Sequence, residues 1–263
     1  MNVMILTIGL GLAVGQPPQS QPAAGESLRP EPGWKEMGRN LWFDREGRRA
    51  ILRARVVFRE GPLEHLMCKK GTKEHEAIVA TDAVPEQIHT VLLLTGAKVG
   101  NPVQFAPVFR PPSGSAIAIE LNWWQDGKLQ AADARRWVWD EKTKSSLAID
   151  WVFGGSFFYE DPITKKPRYA ADDGDLITVA NFGNSILDLP IASSANDADR
   201  VFTANTRRIP PIGTEVFVVM SPRPESQSPE SKRGGPPETK KREPPASKNG
   251  QTPDAGSTTR PEK

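Results

Sequence analysis

The strongest pattern in the chain is alternation. From Ala50 onward, Ala50, Leu52, Ala54, Val56 and Phe58 fall on one side of an extended backbone. Arg53, Arg55 and Arg59 fall on the other, with Ile51 and Val57. Strand side chains point to opposite faces with period two, so this stretch predicts a half-buried strand. A second run sets Ile117, Ile119, Leu121 and Trp123 against Ala118, Glu120, Asn122 and Trp124. Asp126-Gly127 then turns the chain and Lys128 to Ala132 returns. Leu147, Ile149, Trp151 and Phe153 alternate in the same way. Shorter strands are predicted at Leu63 to Lys69, Ala77 to Ala80, Leu176 to Val179 and Val216 to Met220. Phe157 to Tyr159 and Arg168 to Ala170 flank a longer hairpin loop.

Helical spacing is rarer. Ile88, Val91, Leu92 and Thr95 share one face, with Asp82 as N-cap, Pro85 and Glu86 in the first turn and Gly96 as C′ residue. This predicts a helix from about Ala83 to Thr95. Ser194 or Asn196 caps a second one, carrying Ala198, Val201 and Phe202 on one face. Strands occur in runs and do not alternate with helices. The pattern therefore predicts an α+β fold: one domain, mainly antiparallel sheet, with one or two packed helices.

The ends read differently. Val3 to Val14 is an apolar run, too short to span a bilayer, and Ala13-Val14-Gly15 supplies a small–x–small cleavage pattern. Residues 1–15 are expected to be a signal peptide; a buried N-terminal strand or helix is the other reading of the run. Residues 16–33 form a Pro-rich linker, expected to be solvated, and 221–263 a polyampholyte tail without aromatics or periodicity. That leaves 34–220 as the folded domain. The expected location is secreted or periplasmic, with no transmembrane segment in the mature chain.

Composition narrows the function. The formal net charge is +2, with 34 basic and 32 acidic residues, which disfavours a nucleic-acid partner. One cysteine excludes an internal disulfide and cannot ligate an iron–sulfur cluster.

Cys68 and all three histidines lie between Glu64 and Lys98. His65, Cys68, His75 and His89 are the candidate metal ligands, with Glu64, Glu74 and Glu76 nearby, although their spacing matches no standard zinc pattern. In a strand, His65 and Cys68 point to opposite faces, and Cys68 is expected to be buried beside Leu66. Lys73, Glu74, His75 and Glu76 form a dense charged loop that could bind a ligand or simply be solvated. Arg53 and Arg55 could receive an anion, or pair with acids on neighbouring strands. Trp124 is either a stacking platform or covered by the Pro-rich loop at 102–112. No residue set calls for a cofactor, and none is assigned a catalytic role.

Several phrases are long enough to be specific: REGPLEHLMCKKGTKEHE (59–76), WVFGGSFFYEDP (151–162), YAADDGDLITVANF (169–182), LDLPIASS (187–194) and IPPIGTEV (209–216). Over about Arg45 to Met220 the chain resembles the YdjY-domain family of bacterial proteins. The resemblance implies an extracytoplasmic domain of unknown biochemical role. Some members are described as ferredoxin-like and associated with cluster-binding segments, a pattern from which the solitary Cys68 departs. The expected function is a non-catalytic binding or structural module meeting a protein or cell-envelope partner. The alternative is a metal-assisted hydrolase or redox protein using the 64–89 cluster.

Overall fold

The structure is a computed structural model, which describes residues 28–192 and 201–224. The signal peptide predicted at 1–15, most of the linker, both caps proposed for a second helix and the tail beyond Pro224 lie outside the described residues.

Strand formation follows the alternating runs. In chain order the strands are β1 (Lys35–Gly38), β2 (Leu41–Asp44), β3 (Arg49–Val56), β4 (His65–Lys69) and β5 (Ala77–Thr81). After helix α1 (Pro85–Leu94) come β6 (Ala116–Gln125), β7 (Lys128–Asp133), β8 (Val138–Asp140), β9 (Ser145–Ser146) and β10 (Trp151–Val152). The last are β11 (Phe158–Glu160), β12 (Pro167–Tyr169), β13 (Asp175–Thr178), β14 (Phe202–Ala204) and β15 (Glu215–Pro222). The main sheet has the path β10-β6-β15-β3-β5-β4-β13, with β7 on β6 and β2 and β1 extending from β3. Its pairs are antiparallel except β4 with β5, which run parallel with His65 opposite Ala77 and Lys69 opposite Thr81. Two small antiparallel sheets, β11-β12 and β14-β8-β9, complete the described residues.

The centre of the sheet is β3, β15 and β6; β3 and β6 carry the clearest alternation, and β15 between them is apolar on both faces. Ala50, Leu52, Ala54 and Val56 join Val216, Val218, Met220, Ile117, Ile119 and Leu121 in the main core. The opposite face is not bare. Ile51, Trp42, Phe217 and Val219 form a second cluster with Leu28, and Trp34 packs against it. Leu28 is thus buried, although it falls in the segment read as a solvated linker.

α1 lays Ile88, Val91 and Leu92 of the predicted stripe into the main core, and Pro85 and Thr95 are buried at its ends. Gly96 follows at φ +85°, which suits a left-handed C′ residue. The N-terminus differs from expectation. Val84 is the N-cap and no side chain caps it. Asp82 instead holds Arg39 at 2.8 Å and accepts from Asn40 Nδ2 at 2.5 Å. Two further corrections concern strands. The alternating stretch from Leu147 to Phe153 pairs with β6 only through Trp151 and Val152. Phe202, assigned to a helix from its spacing, lies in β14, where it pairs with Asp140 of β8.

Candidate functional site

β4 is covered on both flanks, by β5 and β13, and every residue from His65 to Cys68 is buried. Alternation alone cannot indicate an orientation in such a strand. The β13–β4 register carries an irregularity between Asp175 and Ile177. His65 pairs in register with Thr178, yet its Nε2 lies 2.7 Å from Asp175 Oδ1. Phe182 stacks on the imidazole at 5.2 Å. Asp175 also accepts from Asn184 Nδ2 at 2.7 Å, and Lys73 Nζ approaches at 3.6 Å. Burial alone would raise the Asp175 pKa. The His65 hydrogen bond, the charges of His65 and Lys73, and Asn184 outweigh it and bring the carboxyl below its ordinary value. An ionised Asp175 accepts from Nε2–H, which leaves Nδ1 as the ring nitrogen not engaged by Asp175. Nδ1 is buried without a hydrogen-bond partner among the described residues.

The parallel pairing sets the end of the 70–76 loop beside the start of β4. Glu76 O accepts from the backbone N of both Glu64 and His65 at 3.1 Å. One ligand-capable atom from each of Glu64, His65 and Glu76 lies within 4.8 Å of the other two. Among the described residues this is the group of three or more metal-capable side chains, and it does not contain Cys68, His75 or His89. The proposed set of His65, Cys68, His75 and His89 is therefore not assembled. Cys68 packs with Ala77 and Ala80, and burial pushes its thiol up to about 12, so it offers no thiolate near neutral pH. His75 is exposed and approaches Glu76 at 3.7 Å. Glu74 accepts from the backbone N of Gly71.

His89 belongs to a different neighbourhood. It flanks the buried stripe of α1, and its Nδ1 lies 2.7 Å from the Tyr169 hydroxyl. Its ring meets Phe153 edge-on at 4.8 Å, and burial lowers its pKa from the ordinary value. Tyr169 in turn contacts Phe158 at 5.1 Å. Gly155, at φ +70°, lies so close to Val99 and His89 that a Cβ there would collide with Val99. Several apolar side chains near this junction are exposed. Leu93, one turn beyond His89 on α1, is exposed with Val99, Phe157 and Phe158, and Phe105 and Phe109 pair at 6.2 Å in the neighbouring loop.

The arginines expected to receive an anion are engaged internally. Arg53 lies over Trp42 and Phe217, donates to Leu28 O and approaches Glu215 at 3.6 Å. Arg55 donates to Gly213 O. Trp124 is partly exposed on β6 opposite Leu129 of β7. A second buried carboxylate, Asp188, accepts from Asn181 Nδ2 at 3.1 Å and from the backbone N of Leu189 at 2.8 Å. Burial pushes its pKa up to about 7.

Comparison with known families gives one match: the sequence model of the YdjY domain covers residues 41–221. The chain belongs to the YdjY-domain family. No curated protein and no solved structure matches it. The matched span of this YdjY domain takes in every strand from β2 to β14 and nearly all of β15, and so includes both His65 and the surface around His89. Among the described residues no helix is long and apolar enough to cross a membrane. Asp175 and Tyr169 were not legible as site residues, because each meets its histidine only through contacts distant in sequence, and Asn184 reaches the site only through Asp175.

Proposed function

We propose that this YdjY domain is a non-catalytic binding module of an extracytoplasmic compartment. It docks on a protein or cell-envelope partner through the apolar surface around His89. The observation that carries this reading is the exposure of Phe105, Phe157 and Phe158 (59%, 48% and 57%), together with that of Leu93 and Val99. Aromatic residues concentrated on an exposed surface favour recognition by burial of apolar area. Export is supported by the apolar run from Val3 to Val14 and the cleavage pattern at Ala13-Val14-Gly15. N-terminal sequencing of exported protein should begin near Gln16, and intact Met1 on cytoplasmic protein would sink that part.

The docking surface is tested by the double variant Leu93→Asp/Phe158→Asp. Both side chains are exposed, so the melting temperature should stay within a few degrees of wild type. Photo-crosslinking from position 157 in the producing cell should give a discrete adduct with wild type and none with the variant. An unchanged adduct would remove this surface from function. The hydrolase or redox alternative would gain if purified protein turned over a substrate and the double variant kept that turnover.

A further inference from the structure

We propose that Glu64, His65 and Glu76 form a binding site for one first-row divalent metal ion, with zinc the best-matched cation. This rests on a different part of the fold from the apolar surface above. Two observations carry it independently. The first is the convergence of three ligand-capable atoms within 4.8 Å. The second is His65 Nδ1, fully buried and without a hydrogen-bond partner among the described residues. Buried ring nitrogens are normally paired, so an unpaired one on the histidine of this group points to a ligand.

The surroundings suit a metal ligand. A metal-bound histidine commonly gives its other ring N–H to a carboxylate, which fixes the tautomer and ring plane. Asp175 does this for Nε2 and is itself held by Asn184 and Lys73. One imidazole and two carboxylates match zinc, or manganese, better than calcium or magnesium, which favour six or more oxygen ligands or near-octahedral water shells. Donors around tetrahedral zinc lie about 3.3 Å apart at bonds of about 2.0–2.2 Å, so the group must draw in. The glutamates do the moving, because His65 is fixed by β4, Asp175 and Phe182. Both glutamates take part in other interactions, so the ion competes with those contacts for them. Glu76 keeps a slightly exposed side chain (12%), which gives the ion a path from solvent. Three protein ligands leave the fourth position open to water.

Isothermal titration of chelator-stripped full-length protein with Zn²⁺, then Mn²⁺, tests the site. Wild type should bind one Zn²⁺ per chain and gain melting temperature with it. Glu76→Gln should weaken binding more than tenfold and lose the thermal gain, while keeping the wild-type circular dichroism. His65→Gln should do the same if it folds; being at the edge, Glu76→Gln decides the matter if it does not. His75→Gln, a change at an exposed residue outside the group, should bind like wild type. Absence of stoichiometric binding, wild-type affinity in Glu76→Gln, or loss of binding in His75→Gln would each overturn the proposal.

Discussion

Cys68 shows how burial decides chemistry at a single residue. Two lysines follow it in sequence and would favour a thiolate, yet the side chain sits against Ala77 and Ala80 and its thiol is pushed up to about 12. A thiol reagent should label the folded protein far more slowly than the denatured one; prompt labelling at native pH would contradict the packing. Asp188 carries the opposite kind of information. Its folded pKa, about 7, lies above the ordinary 3.8, so the folded state holds the proton more tightly. Its contribution to stability is full below about pH 4 and is lost as pH rises through about 7. Asp188→Asn lacks that dependence. The stability of the variant relative to wild type should therefore improve as pH is raised from 4 to 7.5 in denaturant titrations, and a flat difference would count against the buried carboxylate. Residues like these were partly legible. Ile117, Ile119 and Leu121 declare their burial by alternation with neighbours of another character. His65 does not declare Asp175, which is 110 positions away and reads locally as part of a turn.

At the scale of elements, the apolar stripe of α1 was readable because Ile88, Val91 and Leu92 recur at the helical period. Its cap was not, because Asp82 is drawn off by Arg39 and Asn40 from the β1–β2 segment. The same limit explains Phe202. Its spacing with Ala198 suits a helix, but β14 forms because Phe202 and Ala204 find partners on β8. Local propensity yields to pairing that the local window cannot contain. The helix gives a paired test. Leu92→Asp places a carboxylate in the core without a partner and should cost more than about 3 kcal/mol. Val84→Asp, at an exposed site beside the first turn, should change stability by less than about 0.5 kcal/mol. Chemical denaturation of both measures the contrast, and equal losses would mean α1 docks by another face.

Across the whole molecule, the mainly antiparallel sheet with one packed α-helix among the described residues was legible, since strands come in runs. The covering of both sheet faces was less so: Leu28 and Trp34 close the second face from a stretch with no periodicity. One core cluster reaches from Leu41 in β2 to Met220 in β15 and includes α1. Unfolding should accordingly be a single transition, with tryptophan fluorescence and far-ultraviolet circular dichroism giving the same midpoint; separated midpoints would divide the sheet. The lone parallel pair has a further consequence. Lys69 and Thr81 lie level, as do His65 and Ala77, so the chain leaving β4 must travel back about 13 Å, at about 3.3 Å per residue, to start β5. Residues 70–76 do this while folding back on themselves through Thr72 to Lys69 O and Glu76 N to Lys73 O. Fully extended, these seven residues would reach about 24 Å, so the excess length is taken up by the turns, and the connection tolerates lengthening and shortening unequally. Two glycines inserted after Gly71 should cost less than about 1 kcal/mol, because loop entropy grows slowly with length. Removal of Glu74 and His75 should lower the melting temperature far more, because it takes out the Glu74 acceptor for Gly71 N and breaks the turn that Glu76 N closes on Lys73 O.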